Sequence, residues 1–297
     1  VSWQELDREQ KTNQPRAKGQ LATPEAAARK GYAMPDGLAG KAPIVWRGRS
    51  RTIVVPVLAD APDSWVDLDG AAWLKALVAS PQLKQAGYEI KAVTSTKALM
   101  AMLSATSGNR PFAVVNPGGE YFHGDQPDEG ETLATIKDYI RHGGIWWETG
   151  GYSFHSYAYP GAEGKWQTKG IGPRGASTFG FGCGSHDVED PPRVLKVTDE
   201  GRVWLGAARA AELARLRSGV QRPFTGRPEA LNLVLGGRDG FVAGIRLDGW
   251  GWLWRLGGFR PDPKAAQLAV VGVLEHLATQ PWPVPPRSKQ GLFWSLK

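Results

Sequence analysis

Short apolar runs alternate with amphipathic stretches through the middle of the chain. Apolar runs of about five residues are typical of strands that are buried on both faces of a parallel sheet. Such runs predict strands over residues 53–58, 88–93, 112–116 and 145–149. Stretches with helical apolar spacing predict helices over residues 70–79, 96–104 and 130–142. This alternation predicts right-handed βαβ units and a parallel sheet.

The second half of the chain has a less regular pattern. Residues 150–185 are rich in glycine and aromatic residues, and they predict a long loop. Asp199-Glu200-Gly201 predicts a hairpin turn between two strands, and a helix is predicted over residues 206–218. Further strands are predicted over residues 231–235, 241–247 and 252–256, before a final helix over residues 263–279. We therefore expect an α/β fold, a flavodoxin-like, doubly wound and mostly parallel sheet, with a β-rich, loop-rich insertion at about residues 160–230.

Both ends of the chain lack this periodicity. We predict an irregular basic arm over residues 1–50, the α/β domain over residues 51–280 and a proline-rich tail over residues 281–297. Residues 1–51 contain ten Lys or Arg residues, but five Asp or Glu residues are interspersed among them. This mixture favours a solvated or partner-wrapping arm, which would contact a protein partner or a second copy of the chain rather than nucleic acid.

Composition excludes several classes of protein. No apolar run approaches the roughly 20 residues that span a bilayer, so no membrane span is predicted. The chain begins at Val1 without a secretory signal, which leaves its compartment open and favours an extracytoplasmic location after removal of a signal. Cys183 is the single cysteine, so neither a disulfide within the chain nor a Cys-based metal cluster is expected. No cofactor and no metal are predicted, because the chain also lacks a phosphate-binding Gly-rich loop followed by Lys.

The 13 tryptophans are numerous for a chain of this length. Indole rings serve either core packing or the binding of sugars and proteins, because each offers a large apolar face with one polar group. Trp250, Trp252 and Trp254 alternate along one predicted strand and so share one of its faces. We expect packing for these three residues, and surface binding by other tryptophans stays open.

Three motifs follow one another along the chain. Residues 114–119 (Val-Val-Asn-Pro-Gly-Gly) end a strand in a Pro-Gly-Gly turn. Gly143-Gly144 precede a five-residue strand and a glycine-rich turn, and Phe259-Arg260-Pro261-Asp262 precedes the last helix. Over roughly residues 51–279, this order resembles the class I glutamine amidotransferase fold and its trehalose-utilisation-like and biotin-ligase-N-terminal-like relatives.

The resemblance implies where a site would lie. In that family the Pro-Gly-Gly turn offers backbone N–H groups to an oxyanion, and the glycine-rich turn presents a nucleophilic cysteine. In this chain Gly150 stands at the cysteine position, Arg260 at the histidine position and Asp262 at the glutamate position. Because glycine has no nucleophile and arginine cannot act as a base, glutaminase activity is not expected.

A divergent member of the family would instead bind a ligand at the carboxyl ends of the strands. We expect a small polar or carbohydrate ligand there, or a protein partner. The residues expected to contact it are Gly118, Gly119, Gly150, Gly151, Tyr152, Arg260 and Asp262.

Two glutamates are candidates for acid/base chemistry. Glu148 ends a strand of otherwise apolar residues, and Glu120 follows the Pro-Gly-Gly turn. A pair of carboxylates is the machinery of glycoside cleavage. We expect both glutamates to converge with Arg260 on one crevice, although an ion pair between Glu148 and Arg260 or Lys would give Glu148 a structural role instead.

Other residues keep different functions open. Gly151-Tyr152-Ser153-Phe154-His155 nearly matches the Gly-Xaa-Ser-Xaa-Gly elbow of serine hydrolases, so Ser153 with His155 is a second candidate for glycan- or ester-directed hydrolysis. His186-Asp187 is a further candidate for the base, and its alternative is a surface turn. His123 and Asp125 are candidates for a metal or polar site. A third hypothesis is a structural subunit of a larger assembly, wrapped by the arm and the tail.

Overall fold

A computed structural model describes residues 50–105, 107–182, 192–221, 224–237, 239–247 and 251–279. All of them belong to the compact unit that spans Trp46–Lys297. The basic arm up to residue 49, the tail from residue 280, Cys183, His186-Asp187 and Trp250 lie outside the described residues.

An eight-stranded sheet forms the centre of the fold. Its strands are β1 (Thr52–Pro56), β2 (Glu89–Val93), β3 (Ala113–Asn116), β5 (Ile145–Glu148), β9 (Lys196–Val197), β11 (Leu231–Gly236), β12 (Asp239–Leu247) and β13 (Gly251–Leu256). They lie in the order β2-β1-β3-β5-β13-β12-β11-β9. The first five strands run parallel and the last three pairings are antiparallel, so the fold is mixed α/β with a large, mostly parallel central sheet.

Two smaller sheets accompany it. Three strands form the first, β4 (Tyr121–His123), β6 (Ser156–Pro160) and β7 (Trp166–Gly170), and two form the second, β8 (Arg193–Val194) and β10 (Arg217–Ser218). The prediction of a loop over residues 150–185 is therefore wrong. Strand β6 pairs with β4, which lies more than thirty residues earlier in the chain, and local periodicity does not reveal such a distant partner.

The helices follow the sequence pattern more closely. They are α1 (Gly70–Val78), α2 (Pro81–Gln85), α3 (Thr96–Ser104), α4 (Glu129–Arg141), α5 (Pro173–Thr178), α6 (Asp199–Leu205), α7 (Ala207–Leu213) and α8 (Pro263–Thr279). Helices α1, α3, α4 and α8 are confirmed within one residue at each end. The predicted helix over residues 206–218 ends early at Leu213, and Arg217–Ser218 is a strand.

The predicted hairpin at Asp199-Glu200-Gly201 is wrong, because these residues begin helix α6. The Thr198 side chain accepts a hydrogen bond from Gly201 N at 2.9 Å and so caps the helix. Asp199 and Glu200 then lie in the first turn, where acidic residues complement the helix dipole. The residue types that suggest a turn at this position therefore also suit the first turn of a helix.

Both faces of the central sheet are covered. Ile53 and Val55 of β1 point to the face covered by α1, α2, α6, α7 and α8, whereas Val54 points to the face covered by α3, α4, α5 and the three-stranded sheet. This alternation is the period-two geometry of a strand. Trp252 and Trp254 stack at 5.0 Å, and Trp254 stacks on Trp147 at 5.5 Å, which confirms packing for the described tryptophans of β13.

The part of the chain that the structure describes contains no helix that is both long enough and apolar enough to span a membrane.

Candidate functional site

The carboxyl ends of β1, β3 and β5 meet at one edge of the central sheet, because the three strands are parallel neighbours. Asn116 fixes the Pro-Gly-Gly turn that follows β3. Its Nδ2 donates to Tyr121 O at 2.8 Å, and its Oδ1 accepts from Gly118 N at 3.3 Å. Thr149 Oγ1 donates to Asn116 O at 2.8 Å and so ties the turn after β5 to the same place.

The segment Ser64–Val66 lies over this edge. Ser64 forms an isolated parallel bridge with Gly119, and Ser64 N donates to Gly118 O at 3.3 Å. A Cβ added to Gly119 would collide with the Ser64 carbonyl, and one added to Gly150 would lie 2.8 Å from Trp65 O. The chain itself therefore fills the space beside Gly119 and Gly150.

Glu148 lies in the interior. Its Oε2 is 3.2 Å from Arg255 Nε, and the two side chains are 1% and 0% exposed. Ser153 Oγ donates to Glu148 Oε2, and Phe154 N donates to Oε1 at 3.1 Å. Burial raises the pKa of Glu148 to about 7, although Arg255 and both hydrogen bonds act in the opposite direction. Glu148 thus anchors the turn after β5, and the hydroxyl of Ser153 is part of the anchor.

Arg255, the partner of Glu148, was not among the residues predicted from the sequence. A signal for it exists, since Glu148 and Arg255 are the only charged residues in two apolar strands that are adjacent and in register. A buried charge needs a partner of opposite sign.

Arg260 does not reach Glu148, so the expected convergence of Glu120, Glu148 and Arg260 is wrong. The Arg260 side chain is 71% exposed, and Arg260 Nη1 lies 3.8 Å from Asp67 Oδ1. Asp262 accepts a hydrogen bond from Ala265 N at 2.8 Å and so caps helix α8. The physical reason is that Arg255, on the strand beside β5, already pairs with Glu148.

Glu120 remains near the surface, next to the turn after β5. Its Oε2 accepts from Tyr152 N at 3.3 Å, and its Oε1 lies 3.9 Å from His155 Nδ1. That distance exceeds a direct hydrogen bond, and His155 Nδ1 is buried without a hydrogen-bond partner among the described residues. The structure thus brings Glu120, Tyr152 and His155 together near the surface, whereas Glu148 and Ser153 are fully buried.

Aromatic rings extend from this group across the sheet edge. Trp65 contacts Phe259 edge to face at 4.5 Å, and Phe259 contacts Tyr152 edge to face at 5.2 Å. We call Trp65, Phe259 and Tyr152 the aromatic strip. Its end at Tyr152 lies 5.3 Å from the ring of His155. Trp65 is 37% exposed. Trp65 was not among the residues predicted from the sequence, since its only signal is a large indole in a polar, non-periodic segment.

A separate pocket of about 130 Å³ lies at the ends of β1 and β3. Asp63, Asp69, Gly118 and His123 are among the residues that line it, so Gly118 is the predicted glycine with a place in its wall. His123 is buried with Nε2 at 3.0 Å from Pro62 O, and burial lowers its pKa to about 4. Within the described ranges, no group of three His, Cys, Asp or Glu residues is placed to hold a metal ion.

Comparison with known proteins gives distant similarities. No protein-family model and no curated protein matches the chain. A catalytic mutant of Gan42B, a GH42 β-galactosidase from G. stearothermophilus, is 14% identical with a TM-score of 0.40, over 79% of this chain and 31% of that one. A β-galactosidase from Bacillus circulans sp. alkalophilus is 11% identical with a TM-score of 0.38, over 78% and 32%. The chain therefore spans about a third of the length of these structures.

These comparisons overturn the resemblance to class I glutamine amidotransferases and their relatives. No model of such a family matches the chain, and the two solved structures named above are β-galactosidases. The family assignment is therefore wrong, and the expectation of a non-catalytic member of that family falls with it. At this identity and TM-score, the comparison assigns neither an activity nor a substrate to the chain.

Proposed function

We propose that this protein binds a carbohydrate on the aromatic strip, with Glu120 and His155 supplying polar contacts. The observation that carries the proposal is the run of ring contacts from Trp65 through Phe259 to Tyr152, which ends beside the Glu120 carboxylate. Sugar rings present apolar C–H faces that pack on aromatic rings, and they present hydroxyl groups that need acceptors. The strip and the carboxylate offer both kinds of contact at the edge where open α/β sheets bind ligands.

The backbone holds Trp65 in an unusual conformation. Its φ is 61°, and Arg260, whose N donates to Trp65 O at 2.8 Å, has a φ of 47°. Left-handed backbone costs about 1–2 kcal/mol for a residue with a side chain, and such strain clusters at binding sites. Two strained residues joined by one hydrogen bond keep the rings of Trp65 and Phe259 in place before a ligand arrives, which lowers the entropic cost of binding.

A glycan-binding panel with the full chain tests the proposal. Trp65→Ala should weaken binding at least tenfold, because it removes the exposed end of the strip. Tyr159→Ala is a matched control, since Tyr159 is a half-buried aromatic residue of β6 outside the strip. Absence of any glycan ligand, or equal losses in the two variants at unchanged folding, would contradict carbohydrate binding on the strip.

Hydrolysis of the bound ligand is a second candidate function, and the proximity of Glu120 to His155 favours it. Glu120 is 12% exposed, which suits a group that exchanges a proton with a bound substrate. Glu148 is an unsuitable second carboxylate, because Arg255, Ser153 and Phe154 occupy its oxygens. Turnover of chromogenic glycosides or esters should then be lost in Glu120→Gln while glycan binding persists. Turnover that survives in Glu120→Gln would exclude this role for Glu120.

A further inference from the structure

Glu120, Tyr152 and His155 form a group in which a carboxylate lies beside a histidine at the end of the aromatic strip. We propose that this group hydrolyses acyl esters of carbohydrates, with His155 as the base that activates water and Glu120 as the residue that positions His155. The proposal rests on carbohydrate binding at the strip and adds a reaction and a substrate class to it. Because the Tyr152 ring lies 5.3 Å from the ring of His155, a sugar packed on Tyr152 would hold its acyl groups beside the histidine.

The two ring nitrogens of His155 lie in different surroundings. Nδ1 is buried, has no hydrogen-bond partner among the described residues and lies 3.9 Å from Glu120 Oε1. Nε2 has no hydrogen-bond partner in the part of the chain that the structure describes either, but it is accessible to solvent, in a side chain that is 24% exposed. One nitrogen therefore lies near a carboxylate inside the protein, and the other is open to water or a substrate.

This difference determines which nitrogen is basic. A carboxylate only accepts hydrogen bonds, so a bond between Glu120 and His155 places the proton of the neutral ring on Nδ1 and leaves the lone pair on Nε2. The separation of 3.9 Å is about 1 Å longer than such a bond. Catalytic hydrogen bonds are often long in free enzymes and shorten in the complex with substrate. A ligand that covers the group excludes water and strengthens the attraction between the two side chains, which favours this shortening.

The backbone around His155 is firmly held. Phe154, the preceding residue, is fully buried, has a φ of 49° and donates its N–H to Glu148 Oε1 at 3.1 Å. The carbonyl of His155 accepts from Ile171 N at 2.8 Å and from Gly172 N at 2.9 Å. A left-handed residue with a side chain is strained, and such strain clusters at active sites. The imidazole is thus positioned before a substrate arrives.

Ester hydrolysis suits this group better than glycoside cleavage. Glycoside cleavage uses two carboxyl groups that flank the scissile bond, and Glu148 does not supply the second, because it is 1% exposed and both of its oxygens are bonded inside the protein. Ser153 does not supply a nucleophile, because it is fully buried and its hydroxyl donates to Glu148. Ester hydrolysis by water needs one base, since the same histidine takes a proton from water and returns it to the leaving group.

The proposed reaction consumes one water molecule and regenerates the base. Nε2 of His155 takes a proton from water while the water oxygen forms a bond to the ester carbonyl carbon, and the π electron pair moves onto the carbonyl oxygen. When the tetrahedral intermediate collapses, the bond from that carbon to the sugar oxygen breaks, and Nε2 returns the proton to the sugar oxygen. The products are a carboxylic acid and a free sugar hydroxyl group.

Two substrates distinguish this reaction from carbohydrate binding alone. p-Nitrophenyl acetate tests the base without a sugar, whereas glucose pentaacetate tests the base and the strip together. We expect the full chain to hydrolyse both, and we expect His155→Ala to lower kcat/KM for p-nitrophenyl acetate by about 100-fold, a typical contribution of a general base. Imidazole in solution should restore part of that loss, because it replaces the missing base. His142→Ala is the matched control, since His142 lies beside the Asp138 carboxylate at the end of α4, and it should keep full activity.

Two further variants separate catalysis from folding, with circular dichroism as the check on structure. His155→Gln keeps a polar side chain and should lose as much activity as His155→Ala. Glu120→Gln should lower kcat for p-nitrophenyl acetate at least tenfold with KM unchanged, because Glu120 acts through His155 and not on this substrate.

Full activity in folded His155→Ala, or a loss that imidazole does not restore, would overturn the proposal. A chain that binds glycans on the strip and hydrolyses neither ester would overturn it as well and leave carbohydrate binding in place. Hydrolysis of p-nitrophenyl acetate that depends on His155, in a chain without affinity for any glycan, would support the base and overturn the carbohydrate ligand.

Discussion

Glu148 and Arg255 form an ion pair inside the central sheet, with Arg255 Nε 3.2 Å from Glu148 Oε2 and both side chains excluded from solvent. The residues are register partners on β5 and β13. Arg255 Nη2 also donates to Gly151 O at 2.6 Å, while Glu148 accepts from Ser153 and Phe154. Each member of the ion pair thus also bonds a residue of the turn after β5 and holds that turn against the sheet. The same turn contains Tyr152 and His155.

Removing one member of this pair should destabilise the fold more than removing both. Glu148→Leu leaves a buried guanidinium without its counter-charge, which costs about 3–5 kcal/mol of unfolding free energy. The double variant Glu148→Leu, Arg255→Met removes the charges together and should recover at least part of that loss. Urea unfolding of the wild type, both single variants and the double variant measures the coupling. Additive losses would mean that the two charges do not stabilise one another.

Two buried groups should impose opposite pH dependences on stability. His123 has its pKa lowered to about 4, so the unfolded chain binds a proton more readily and stability falls as pH drops from 6.5 towards 4. Glu148 has its pKa raised to about 7, so the folded chain binds the proton more readily and stability rises as pH drops from 7 towards 4.5. Between about pH 6.5 and 4.5 the two contributions oppose each other.

Glu148→Gln should expose the contribution of His123. In this variant the unfolding free energy should fall more steeply with acid than in the wild type, by up to about 1.4 kcal/mol per pH unit in the shared window. Unfolding free energies measured at pH 7, 6 and 5 give the slope. Identical slopes for wild type and variant would show that Glu148 has an ordinary pKa in the folded chain.

Sequence patterning predicted the strands and helices whose signals are local. The buried runs of β1, β3 and β5 each lie in one short stretch. The three-stranded sheet escaped prediction, because β4 and β6 are distant in sequence and each is polar at one end. The hairpin predicted at residues 199–201 failed for a different reason. Thr198 caps a helix there, and helix caps and turns use the same residue types.

For the same reason, only part of the candidate site could be predicted from the sequence. Glu120, Tyr152 and His155 come together because they lie in turns that follow neighbouring strands. Trp65 reaches them through the long segment after β1, which periodicity does not place. Short Gly and Pro motifs also misled the family assignment, because packing alone can require them. Gly119 has a φ of 65° and faces the Ser64 carbonyl, which explains its lack of a side chain without any oxyanion.

Gly119→Ala should therefore destabilise the fold and displace the Ser64–Val66 segment, which contains Trp65 of the aromatic strip. The added Cβ would strain a left-handed residue and collide with Ser64 O, for a combined loss of about 3 kcal/mol of unfolding free energy. Gly170→Ala is the control, because no atom lies within 4 Å of its added Cβ and its φ is not positive. Thermal unfolding compares the two variants. A Gly119→Ala chain as stable as Gly170→Ala would mean that Ser64–Val66 moves aside freely.

Arg260 offers a test of whether the strip is held by backbone conformation or by a side chain. Its guanidinium is exposed and lies 3.8 Å from Asp67, a contact worth little in water, whereas its backbone N–H bonds Trp65 O at a φ of 47°. Arg260→Gly and Arg260→Val both remove the guanidinium, and they differ in their tolerance of a positive φ.

If the backbone holds the strip, Arg260→Gly should bind carbohydrate like the wild type, since glycine adopts this conformation without strain. Arg260→Val should bind about tenfold more weakly, because a left-handed valine costs about 1–2 kcal/mol and relaxing it would break the hydrogen bond to Trp65. Binding isotherms for both variants, with circular dichroism as a check on folding, decide the matter. Equal weakening of the two variants would instead make the guanidinium itself a ligand contact, because its loss is the change they share.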